Sequence, residues 1–68
     1  MKLYRLLTGP DDSSFCHKVT AALNKGWDLH GSPTYAFNAT TGLMQCGQAV
    51  TKTVHGKEYD PEMKLGEQ

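Results

Sequence analysis

The sequence predicts an α+β fold of order β-α-β-β: three antiparallel strands in the order 1-3-2, one helix on one face, and a mobile C-terminal tail. Three observations carry this. The step from Leu23-Asn24-Lys25-Gly26 into Trp27-Asp28-Leu29 places a helix end, a tight reversal and a strand start side by side. At Trp27 the apolar period changes from helical to two. Asn38-Ala39-Thr40-Thr41-Gly42 then reads as a hairpin loop, with Gly42 free to take a positive φ.

The first strand is Lys2 to Thr8, with Tyr4 and Leu6 on one face and Leu3, Arg5 and Leu7 on the other; Gly9-Pro10 is expected to stop it. Asp11-Asp12-Ser13-Ser14 is a helix-start signal, because an aspartate accepts hydrogen bonds from the orphan amides of the first turn and suits the positive end of the helix dipole. Phe15, Val19, Ala22 and Leu23 make one apolar stripe, with Cys16 at its margin. Lys25 suits the negative end, and Gly26 closes the helix in the left-handed conformation.

Trp27, Leu29, Gly31, Pro33, Tyr35 and Phe37 alternate with Asp28, His30, Ser32, Thr34 and Ala36, giving a half-buried second strand with a defect at Gly31-Ser32-Pro33. Proline cannot donate to a ladder, so Pro33 points to an edge strand or a bulge. Leu43 to Val54 is the third strand. Met44, Cys46, Gln48, Val50, Lys52 and Val54 share one face of it, and Gln45, Gly47, Ala49, Thr51 and Thr53 the other. The helical crossover makes strands one and two parallel, and the hairpin makes strand three antiparallel to two. Placing strand three between them makes every neighbouring pair antiparallel and leaves Pro33 at an edge. Residues 1–54 form the single domain, and 55–68 read as a flexible or loosely attached tail with Gly56, Pro61, Gly66 and few apolar side chains.

A chain of 68 residues is one domain at most. It buries only about 60% of the surface its unfolded form exposes, so its core is small. Lys+Arg and Asp+Glu are both 7, which gives zero formal net charge. That balance argues against a general nucleic-acid binder, which needs a basic field, and against a membrane surface. No apolar run approaches the roughly 20 residues that span a bilayer, and the N-terminus lacks a signal-peptide core. The expectation from these features is a cytoplasmic protein, with Cys16 and Cys46 reduced.

Tyr4-Arg5-Leu6-Leu7-Thr8-Gly9-Pro10-Asp11-Asp12, Phe15-Cys16-His17, Ala22-Leu23-Asn24-Lys25-Gly26-Trp27, Gly31-Ser32-Pro33 and Cys46-Gly47-Gln48-Ala49-Val50 together resemble a family of short bacterial proteins. That family is known as a domain of unknown function, number seventeen thirty-seven. The likeness covers nearly the whole chain, including the Leu65-Gly66-Glu67-Gln68 end. It implies a small stand-alone protein of this fold, and no activity, cofactor or partner.

Five constellations could carry chemistry. Cys16, His17, Cys46 and His30 offer zinc-type ligands, but the paired spacing of structural zinc sites is absent and Cys16 and His17 diverge on a helix. Cys16 near a helix start could be a nucleophile, with Asp11 or Asp12 orienting a histidine base. No spacing assembles these parts, and so short a chain has little room for a substrate pocket. Thr8 to Ser14 could cradle an anion, but it lacks the P-loop glycines and lysine, and its aspartates can satisfy the amides themselves. Tyr4, Arg5, Tyr35, Lys52 and Lys57 could form a stacking, basic surface for single-stranded nucleic acid. Lastly, the sheet carries more apolar side chains than one helix can cover.

The expected core anchors are Phe15, Val19, Leu23, Trp27, Leu29, Tyr35 and Phe37. The expected surplus, on a second face, is Met44, Cys46, Val50 and Val54, a candidate interaction surface for a homodimer or another protein partner unless the tail covers it with Met63 and Leu65. The function expected is that of a non-enzymatic interaction or structural module without cofactor or metal. The alternatives are a weak nucleic-acid-binding module and a thiol- or metal-dependent site around Cys16.

Overall fold

The computed structural model describes residues 1–67, so Gln68 of the predicted tail lies outside the described residues. Strand β1 (Lys2–Pro10) leads into helix α1 (Ser13–Asn24), then β2 (Asp28–Asn38) and β3 (Leu43–Thr53), with one 3-10 turn at Leu65–Glu67. The sheet order is β1-β3-β2, and both pairings are antiparallel. This is the α+β fold the sequence predicts.

The local causes lie in particular residues. The Asp12 carboxylate accepts the Ser14 backbone N–H at 2.8 Å and caps α1. At the other end Gly26 takes φ +92°, and the Trp27 N–H turns back to the Ala22 carbonyl at 3.1 Å. The β2–β3 register slips between His30 and Thr34, the defect expected at Gly31-Ser32-Pro33. The buried Gln48 carboxamide holds this bulge. It donates to Ala49 O at 2.9 Å and over longer distances to His30 O and Gly31 O.

Strand β2 starts at Asp28 rather than Trp27 and β3 ends at Thr53 rather than Val54, and the end of β1 departs further from expectation. Gly9-Pro10 does not stop β1; Gly9 pairs with Cys46 and Pro10 with Gln45. An edge strand tolerates proline because the missing N–H can face away from the ladder. Gly9 is buried against the Phe15 ring, where a Cβ would lie 3.3 Å from Phe15 atoms.

The register decides which apolar residues share a face. Residues directly opposite point to the same side. Arg5 pairs with Val50 and Leu7 with Gln48, while Leu29 pairs with Val50, Tyr35 with Cys46 and Phe37 with Met44. The two apolar sets expected on opposite faces therefore lie on one face, the one that carries α1. The core there is Leu3, Leu7, Ala22, Trp27 and Val50, with Met1, Phe15, Val19, Val54 and Leu65 packed against it.

Of the expected anchors, Trp27 is buried and Phe15 and Val19 are half-buried, whereas Leu23, Leu29, Tyr35 and Phe37 are exposed. The reason is the reach of one helix. It packs mainly on β1 and less on β3, because a helix about 10 Å across spans about two strands spaced 4.8 Å apart. Its 12 residues run about 18 Å, against about 37 Å for the 11 residues of β3. Strand β2 and the hairpin end project beyond it. The tail is exposed from His55 to Lys64, then returns on the helix side, where Leu65 meets the core and the 3-10 turn meets β1. It does not cover the opposite face, where Tyr4 and Leu6 stand exposed beside smaller residues such as Gly47, Ala49 and Thr51.

Candidate functional site

The most distinctive surface is the seam between α1 and β2. Next to the helix it forms a shallow hollow of about 290 Å³, walled by Phe15, Cys16, Val19, Thr20, Leu29 and Gln48. Beyond the start of α1 the seam continues along Tyr35 and Phe37. There a second hollow of about 430 Å³ lies between Pro10-Asp11-Asp12 and Phe37, Gly42, Leu43 and Met44. Leu29, Tyr35 and Phe37 are 56%, 59% and 64% exposed, although all three sit on the core-forming face.

One polar contact crosses the seam. The Tyr35 hydroxyl donates to Asp11 Oδ2, tying β2 to the residues before α1. The bond stabilises the neutral phenol, so Asp11 holds the Tyr35 pKa above its ordinary value, first through that bond and then with some desolvation. Across the ladder from Tyr35, partial burial pushes the Cys46 thiol up, with the Asp11 charge adding to it. At the helix start the Ser14 hydroxyl and N–H hold the Asp12 carboxyl below its ordinary value.

The expected interaction surface of Met44, Cys46, Val50 and Val54 is not a second face. Val50 is fully enclosed beneath α1, and Val54 packs against the core beside Met1, whose carbonyl accepts the Val54 N–H at 2.8 Å. Met44 and Cys46 are half-buried behind Phe37 and Tyr35. The parts of the surface that reach solvent are the residues expected in the core.

The stacking, basic surface also comes apart. Tyr4 points to the opposite face from Arg5 and Lys52, which lie over the Trp27 ring at 5.4 and 5.8 Å. Lys57 is in the tail. Cys16 is exposed and Cys46 half-buried, both as free thiols. Among the described residues no three His, Cys, Asp or Glu side chains come together as a metal-ligand group. No helix among them is long and apolar enough to cross a membrane.

The family model described as "Domain of unknown function (DUF1737)" matches residues 1–53. The match takes in the three strands and the helix and stops before the tail. No curated protein and no solved structure matches the chain.

Proposed function

Because the chain belongs to the DUF1737 family, whose description assigns no activity, we propose from its own surfaces that it is a small non-enzymatic interaction module. In this reading it pairs with a second copy of itself through the α1–β2 seam, in the cytoplasm. The observation that carries it is the exposure of Leu29, Tyr35 and Phe37 on the face that elsewhere forms the core. Contiguous apolar surface of this kind marks an interaction site.

Several features favour a second copy. Among the described residues the core holds five buried apolar side chains, of which only Trp27 and Val50 are fully enclosed, and small domains with such cores commonly gain stability by oligomerising. The opposite side of α1 shows His17, Lys18, Asn24 and Lys25, so it offers no competing apolar surface. A two-fold axis through the seam brings Leu29 and Phe37 of each copy onto the same patch of the other, the commonest closed arrangement. The bulge between His30 and Thr34, with Pro33 inside it, interrupts the outer edge of β2. Face packing is therefore favoured over strand addition.

Light scattering of the full chain over a dilution series tests the reading. The expected result is a dimer mass that falls to monomer for Leu29→Glu with Phe37→Glu, while circular dichroism stays unchanged. A monomer mass for the unmodified protein at every concentration overturns it.

A further inference from the structure

We propose that the opposite flank of α1 is a binding site for a small phosphorylated compound, recognised through its phosphate. Four of the protein's seven Lys and Arg residues, Arg5, Lys18, Lys25 and Lys64, line one hollow of about 310 Å³. They come from β1, the middle of α1, the residue that caps its C-terminal end, and the approach to the Leu65–Glu67 turn. Distant parts of the chain have thus converged. The site is independent of the seam, which lies on the other side of the helix.

The local charge is the first argument. The whole chain has zero net charge, yet among the described residues the hollow gathers four cations against one carboxylate, Glu67. Like charges held together cost stability unless something neutralises them. Among the described residues none of the four is seen in an ion pair. Lys18 donates to the Thr8 carbonyl at 2.7 Å, which fixes its ammonium and leaves two of its three N–H donors for a ligand.

Preorganisation is the second. Arg5 is half-buried, and its guanidinium is flanked by the Trp27 ring on one side and by the returning tail on the other. Gly66 makes that approach possible, since a Cβ there would lie 3.2 Å from Arg5 Nη1. A guanidinium held in place matches a phosphate by paired hydrogen bonds, and lysines add charge around it. The floor beneath is Ala21 and Ala22, small enough to leave room. The volume is at the lower end for small-molecule sites, which fits a phosphate with a modest organic group. Lys18 and Lys25 stand two turns apart on one side of α1, a spacing visible in the sequence; only the fold brings Arg5 and Lys64 to them.

The test is an NMR titration of the full chain with inorganic phosphate at constant ionic strength, with sodium chloride as control, followed by ribose 5-phosphate. Saturating shifts are expected at the amides of Lys18, Lys25 and Gly66 with phosphate and not with chloride. Tighter saturation by ribose 5-phosphate would show that the hollow also reads the organic group, and equal saturation that phosphate alone is read; either supports the site. Lys25→Gln and Lys64→Gln, both exposed and structurally tolerant, are each expected to weaken saturation by about tenfold, the worth of one charge-assisted hydrogen bond. Glu67→Gln is expected to strengthen it. Shifts that stay linear, match those of chloride or survive both lysine substitutions overturn the proposal. So does binding of a single-stranded oligonucleotide without saturation by either phosphate, which would assign the cations to a polymer backbone.

Discussion

Leu29 and Val50 stand opposite each other on neighbouring strands and point to the same side of the sheet, yet Val50 is 0% exposed and Leu29 is 56% exposed. The boundary between covered and open sheet falls between these two side chains. It follows from the helix lying over β1 and β3. On this side of the sheet Leu3, Leu7 and Val50 are core, and Leu29, Tyr35 and Phe37 are open surface.

The pair therefore separates stability from association. Val50→Asp places a charge without a partner in the core and is expected to cost more than ~4 kcal/mol, enough to unfold a domain of this size. Leu29→Asp at a concentration where the protein is monomeric is expected to change stability by only about 0.5 kcal/mol. Urea unfolding followed by the fluorescence of the single tryptophan measures both. Similar losses for the two would remove the boundary.

Trp27 is the largest enclosed side chain, 1% exposed, and its indole N–H meets no acceptor among the described residues. Trp27→Ala is expected to cost ~3–5 kcal/mol and leave the chain largely unfolded. Trp27→Phe keeps most of the apolar contact and removes a buried donor whose isolation costs ~1–3 kcal/mol, so its penalty is expected to be clearly smaller. Thermal melts by circular dichroism rank the two. Equal melting temperatures for Trp27→Ala and the unmodified protein would mean that the ring does not anchor the core.

The local signals in the sequence are strong, and they carry the element order, an aspartate-led helix start at Asp11-Asp12, the Gly26 reversal, the bulge near Pro33 and the antiparallel order. Each depends on residues close together in the chain. The faces were not legible in the same way. Alternation shows that Leu29, Tyr35 and Phe37 share a side, and likewise Met44, Cys46 and Val50, but only the register across the hairpin shows that both sets share the same one. Nor can periodicity show which two strands a short helix covers. The expected anchors Leu29, Tyr35 and Phe37 consequently exchanged roles with the expected surface residue Val50. The cations around Arg5 are not legible in the sequence, because Lys64 reaches them through a tail without periodic pattern.

Asp12 and Tyr35 give the helix start a pH dependence at both extremes. Asp12 is depressed in the folded state by its bonds to Ser14, so its contribution is present above the ordinary carboxyl value and is lost as pH falls through the lower folded value. Tyr35 is raised by its bond to Asp11, so its contribution is complete below the ordinary phenol value of about 10 and is lost as pH rises through the higher folded value. Asp11→Ala is expected to bring the most alkaline step of the tyrosinate absorbance titration back toward that ordinary value, and Tyr35→Phe to delete the step. A titration unchanged by Asp11→Ala would mean that the bond across the seam does not persist in solution.

Gly47 and Thr34 pair across β2 and β3 on the face away from the helix. Gly47 is buried, and a Cβ added there would run into Thr34 Oγ1 and come within 3.8 Å of Leu6 Cδ1. Alanine in a strand is otherwise favoured over glycine by about 0.5–1 kcal/mol, since glycine loses more backbone freedom on folding. The collision outweighs this gain, because overpacking costs ~1–3 kcal/mol. Gly47→Ala alone is thus expected to lower stability. Thr34→Ala removes the obstructing hydroxyl, so the double variant is expected to be at least as stable as Thr34→Ala alone. A double-mutant cycle from urea unfolding reads this as a coupling of about 0.5–3 kcal/mol. No coupling, with Gly47→Ala neutral by itself, would mean that Thr34 rotates aside without cost and that glycine is not required there by packing.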